Sequence, residues 1–361
     1  MTTPSTPMDA PAPAPAAPAR PAREGEIPSR RERSVPYAGW MVIARKELGD
    51  HLLSWRFVIL VLIIAAAALV PLYFAADALR TNASSSSALA ARFLTLFWYG
   101  PPVANGQVTL PSVAGFLAIV GPLLGVVFAF DAVNGERAQG TLPRLLSQPI
   151  HRDDVINGKF AAGLAVIGLV IVAVTAGIAA FGIIRIGIVP QPLEILRLML
   201  WIVITLVYVS MWLAFGMVLS VVTRSAATSA LVGFGVWAFV TFLGGFIVSL
   251  IQNLIAPLAG VTDPQTYLNN TGTQELIQRF LPSTLYQQAS LVLLNPQVMS
   301  KDISTPTTIG GITQAQQQIP SILSLDQSFI LVWPQVVALV AITVAFFAIA
   351  YVRFMRQEVR A

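Results

Sequence analysis

The strongest constraint in this 361-residue chain is a series of apolar blocks, each 18 or more residues long and free of charge. A helix rises ~1.5 Å per residue, so a block of that length crosses ~30 Å of hydrocarbon. Lipid offers no partners to backbone amides, which forces such blocks to fold as helices. Six qualify: Phe57–Ala76, Val113–Phe130, Phe160–Ile184, Leu198–Val222, Ala226–Ile251 and Phe329–Val352. Only 11% of the chain is charged, against about 25% in a soluble domain, so a water-covered surface is excluded. The expected fold class is an all-α membrane protein with six transmembrane helices.

Residues 1–36, rich in Pro, Ala, Arg and Glu, carry too little apolar bulk to offset the entropy of ordering and read as a disordered cytosolic tail. They lack the apolar core of a signal peptide. From 37 to 56 the pattern turns helical, with Trp40, Ala44, Leu48, Leu52 and Trp55 at spacings of three to four. Arg45, Lys46, Glu47 and Asp50 lie elsewhere on the wheel, as suits an amphipathic interfacial helix in the headgroup region. Spans one to five with their connections occupy 57–252. With the amino terminus inside, 16 Lys and Arg face the cytosol and 6 the other side, which places both termini in the cytoplasm and the chain in the cell membrane. The polar stretch 253–328 is expected as an extracytoplasmic cap, with a helix beginning at Pro282-Ser283, capped by Ser283, and ending at Asn295-Pro296. Residues 329–361 hold the sixth span and a cytosolic end.

A net charge of +5 does not imply nucleic acid, because Lys and Arg flank the apolar blocks instead of gathering on one face. There is no cysteine, and the only histidines, His51 and His151, are far apart, so no metal site is expected. None of the six spans as drawn contains Asp, Glu, Lys, Arg or His; Arg185 and Arg197 fall at or beyond their ends. That argues against ion coupling and against intramembrane catalysis. Ser210, Ser220 and Ser249 are expected to bond back to their own helices. Gly121 and Gly125, and Gly244-Gly245, are candidates for close helix approach.

The 131–159 loop is closely patterned. In Gly140-Thr141-Leu142-Pro143-Arg144-Leu145-Leu146-Ser147-Gln148-Pro149, Thr141 can cap a helix, Pro143 is tolerated in its first turn and Pro149 ends it. Leu142, Leu145 and Leu146 then line one face of two turns at most. A helix so short is marginal in water unless a partner holds it.

The run Glu136-Arg137-Ala138-Gln139-Gly140-Thr141-Leu142, then Leu145-Leu146-Ser147-Gln148-Pro149-Ile150 with Arg152 and Gly158-Lys159, resembles the first cytosolic loop of ABC-2-type transporter permeases. Ile43-Ala44-Arg45-Lys46-Glu47-Leu48 is similar to that family's in-plane amino-terminal helix, and the permeases of nitrous-oxide-reductase maturation look most alike. The resemblance implies that Glu136, Gly140, Thr141, Leu142, Leu145, Leu146, Ser147, Pro149 and Arg152 form a coupling helix seated on a separate ATPase subunit. It also implies a second permease copy or paralogue, and export driven by ATP. The chain has no G-x-x-x-x-G-K-[ST] run, since Asn157-Gly158-Lys159-Phe160 lacks both the upstream glycine and the hydroxyl. It is therefore expected to be no enzyme and to hold no cofactor, with ATP and Mg bound by the partner. The competing readings are a membrane scaffold that recruits a cytosolic protein through the loop and an ion-coupled carrier.

Overall fold

The structure, a computed structural model, describes residues 39–81, 92–100, 102–103, 108–141, 151–295 and 324–357. The tail expected to be disordered lies outside them. Eleven helices are used below: α1 Gly39–Leu52, α2 Trp55–Thr81, α3 Arg92–Trp98, α4 Val113–Ala129, α5 Asn134–Ala138, α6 Arg152–Ile186, α7 Pro192–Val222, α8 Ala226–Ile255, α9 Pro264–Gln278, α10 Pro282–Leu294 and α11 Leu325–Met355. A two-residue antiparallel pairing, Pro102 with Thr109 and Val103 with Val108, is the only strand contact among the described residues. Six of these helices (α2, α4, α6, α7, α8 and α11) are long and apolar enough to cross a membrane, as the blocks required.

The core forms around α4 and α7, the two spans most enclosed by the others. Glycine sets their separation. A Cβ on Gly125 would stand 2.6 Å from the Leu213 amide nitrogen, and one on Gly121 would stand 2.9 Å from Val209 Cγ2. Tyr208, buried at this contact, donates to the Ala118 carbonyl at 2.8 Å, and Trp237 Nε1 on α8 donates to Ile119 at the same distance. Of the other glycine pair, Gly244 approaches Leu281 closely, whereas a Cβ on Gly245 would meet nothing within 4 Å. Inside α8, residues Phe239–Leu243 form a π-turn.

Of the stretch expected as a cap, residues 253–295 and 324–328 are described. After α8 the chain turns back along it as α9, tied by Gln252 to the Gln274 carbonyl, Gln274 to the Ala256 carbonyl and Asn270 to the Pro257 carbonyl. It then reverses again, and α10 packs inside the bundle against α4, α7 and α11. Tyr286 stacks on Tyr208 near the middle of α7, with centroids 4.6 Å apart and planes 11° from parallel. Pro282, at the tip of the hairpin, shares a crevice with Met211, Phe215, Ile342 and Phe346. Burying Leu285, Tyr286, Ala289 and Leu293 is what draws this short helix inward. Pro282 takes the first helical position, so Leu281, not Ser283, stands at the N-cap.

Arg197 is likewise no loop residue. It is 1% exposed within α7 and donates to Ser328 Oγ at 3.0 Å and the Leu293 carbonyl at 3.4 Å, fastening α10 and α11 to α7.

Candidate functional site

The two described ends of the 142–150 loop, Asp131–Thr141 before it and His151–Lys159 after it, converge at the end of the bundle where α1 docks. Docking starts from Gly158. A Cβ there would fall 2.7 Å from the Trp40 carbonyl oxygen and 2.8 Å from Ile43 Cβ, so only glycine lets α1 lie this close to α6. Asp154 fixes the crossing. Its Oδ1 accepts from the Trp40 amide at 3.0 Å and its Oδ2 from the His151 amide at 3.4 Å. A carboxylate in the first turn of α6 also suits the positive end of that helix.

One residue further, Lys159 is almost fully enclosed, with 3% of its side chain exposed. Its ammonium lies 3.1 Å from Glu47 Oε1 on α1 and 2.8 Å from Glu136 Oε1 on α5. One cation thus joins α1, the start of the loop and the third span. Glu47 also receives Lys46 at 3.1 Å from the solvent side. Burial would push the Glu47 carboxyl up, but Lys159, then Lys46, outweigh it and hold the group below its ordinary value. His51, edge-on to Phe128 at 5.3 Å, is pushed down by burial against the opposing pull of Glu47 and Asp131.

The start of the loop is held from the other side by neutral hydrogen bonds. Ser220 Oγ on α7, fully buried, accepts the amides of Val133 at 3.0 Å and Asn134 at 3.2 Å. It does not bond back to its own helix as expected, although Ser210 and Ser249 do. Asn134 Nδ2 donates to Thr223 Oγ1 at 2.9 Å and to the Ser225 carbonyl at 3.3 Å, in the turn between α7 and α8. α5 then closes with a left-handed cap. Gly140 at φ 65° donates to the Arg137 carbonyl, and Thr141 donates through its amide to the Glu136 carbonyl at 3.0 Å. That φ favours glycine.

Of the residues singled out in the sequence, Glu136, Gly140, Thr141 and Arg152 stand here. Glu136 is engaged by Lys159, Thr141 also bonds the Glu136 carbonyl through its hydroxyl at 3.2 Å, and Arg152 reaches the Gln357 carbonyl at 3.2 Å. Leu142, Leu145, Leu146, Ser147 and Pro149 lie outside the described residues. On α1, Arg45 and Lys46 are exposed and Trp40 is 38% exposed. Glu47, assigned to the polar face, instead points inward, because the enclosed Lys159 supplies its countercharge, and Ile43 is the buried apolar anchor. Sequence reasoning assigned no role to Asn134, named Lys159 only as the end of the loop motif, and expected Ser220 to bond its own helix. The signals for Lys159 were its place in that motif and its position at the head of an apolar block.

Comparison with known proteins adds an independent finding. Residues 41–359 match the family described as ABC-2 family transporter protein. A stretch of 152 residues is 28% identical to the probable ABC transporter permease protein NosY of Stutzerimonas stutzeri, covering 39% of this chain and 53% of that protein. A stretch of 70 residues is 36% identical to the protein of the same description in Pseudomonas aeruginosa, covering 18% and 25%. The chain thus spans about half and about a quarter of the length of these two relatives.

Proposed function

Because this chain belongs to the ABC-2 family of transporter proteins, with the match running from residue 41 to 359, we propose that it is a membrane-spanning permease subunit moved by a separate ATP-hydrolysing subunit. In this reading the 142–150 segment seats on the ATPase, with Leu142, Leu145 and Leu146 as its apolar contact. ATP and Mg bind the partner. A second copy or a related permease completes the pathway, α1 lies in the headgroup region, both termini face the cytoplasm, and substrate is exported.

The observation that carries the proposal is the anchoring of both loop ends. A lever transmits force only if its base does not give. Here the base is tied to α1 and α6 through Lys159 and to α7 and the α7–α8 turn through Ser220 and Asn134. A displacement at the loop therefore reaches three spans through bonds that are mostly sheltered from water, where they are strongest. Switching then follows as rigid-body motion of packed helices.

The test is affinity purification of the chain from its native membrane, followed by an ATPase assay of what accompanies it. An ABC ATPase should come down, and Leu145→Asp with Leu146→Asp should abolish its retention or lower its turnover at least about tenfold. Purification of the wild-type chain without any ATP-hydrolysing partner sinks the proposal, and so does a double variant that matches wild type in both retention and turnover.

A further inference from the structure

Gln357 follows the last turn of α11 and sits where three cytoplasmic pieces meet. Its side-chain oxygen accepts from the Arg137 guanidinium on α5, just before the loop. Its side-chain nitrogen donates to the Val221 carbonyl at 2.7 Å, in the last turn of α7. Its main-chain carbonyl accepts from Arg152 at 3.2 Å, just after the loop. The second arm of the Arg137 guanidinium reaches the Thr223 carbonyl at 3.4 Å, so the arginine spans from the α7–α8 turn to α11.

The amide group suits this place for a specific reason. It carries one acceptor and one donor on opposite corners of a plane, and so meets a guanidinium and a helix-end carbonyl at once. The carbonyls of a helix's last turn lack partners within that helix, so Val221 gains a bond it would otherwise have to find in water. A merely exposed polar terminus would not need both corners filled, nor would it touch the segments on both sides of one loop.

We infer that Gln357 is a positioning residue that clasps both ends of the 142–150 loop to the end of the sixth span, so that loop and span move as one. The inference rests on the permease reading for its purpose, while the clasp itself is open to a separate measurement.

The chain has no cysteine, so paired nitroxides can be placed without touching a native thiol. Gln139→Cys with Arg356→Cys reports α5 against the end of α11, and Gln139→Cys with Ala227→Cys reports α5 against the start of α8. All three positions are exposed. In the full chain in lipid nanodiscs, Gln357→Ala should broaden the distance distribution of the first pair roughly twofold by releasing a local restraint. The second pair should stay unchanged, because Asn134 still holds its turn. An unaltered first pair overturns the inference, and so does equal broadening of both pairs, which would mean general loosening. In the ATPase complex, Gln357→Ala should leave retention intact and lower turnover about tenfold, within the usual range of coupling between sites; undiminished turnover also overturns it. Absence of any ATPase on the wild-type chain would remove the permease reading and leave the nitroxide result standing.

Discussion

Replacing Lys159 by methionine removes one charge from the middle of three and should loosen α1 from the bundle. The ammonium lies 3.1 and 2.8 Å from its two carboxylate oxygens, so Glu47 and Glu136 are held within about 6 Å of each other. With the cation gone, their repulsion at that distance is about 2.8 kcal/mol at an effective dielectric of ~20. Breaking a fully buried pair costs about 3–5 kcal/mol. The two carboxylates retain 13% and 18% exposure, so water relieves part of this, and about 2–3 kcal/mol is expected for docking of α1. The assay is amide hydrogen exchange across Ile43–Leu48 in nanodiscs, where that loss reads as roughly 30- to 150-fold faster exchange. The uncharged triple variant Glu47→Gln, Lys159→Met, Glu136→Gln keeps the volume without the stranded charges and should recover most of the protection. Wild-type exchange rates in the single variant, or a triple variant as fast as the single one, would refute the electrostatic account.

Two further outcomes concern the same docking surface. Gly158→Ala puts a methyl group against the Trp40 carbonyl and Ile43, so α1 should be destabilised by about 1–3 kcal/mol, read by the same exchange experiment; unchanged protection would show that α1 can shift at no cost. Docking should also weaken as pH falls below 6.5, because burial lowers the His51 pKa and the undocked helix binds the proton more readily. A second loss should begin below 4.5, where Glu47, held below its ordinary value when docked, is protonated first in the undocked state. His51→Gln should remove the first phase and spare the second, and a first phase that survives this substitution would assign it to another group.

What could be read from the sequence divides along physical lines. The six spans were legible because length and lack of charge are sufficient conditions for crossing hydrocarbon. The inward helix α10 was not, since its 13 residues span only about 20 Å and its neighbours are polar, so hydropathy assigns it to the outside. Leu285 and Ala289 share one apolar face, but a face does not say what covers it. Ser220 failed for a related reason. A serine in an apolar helix looks the same whether it bonds its own backbone, as Ser210 does, or accepts two amides from a distant segment. Glycines at 121 and 125 were better signals, because a missing Cβ has few uses other than close approach or positive φ.

The two sides of the loop base are held by different chemistry, and this bears on how a push at the loop would be shared. Between α5, α1 and the start of α6 the tie is ionic and long-stemmed, through Lys159, whose side chain can follow small displacements while keeping both carboxylates. Toward α7 and α8 the tie is a set of short, directional hydrogen bonds between Ser220, Asn134, Thr223 and backbone groups, which hold only over a narrow range of geometry. A lever with one compliant and one stiff side rotates about the stiff one. Under the permease reading the α7 side would then serve as the pivot, and α1 would travel farther than α7 for a given displacement of the loop base. α7 is also, together with α4, the span most enclosed by its neighbours, which suits the helix that would have to resist the push.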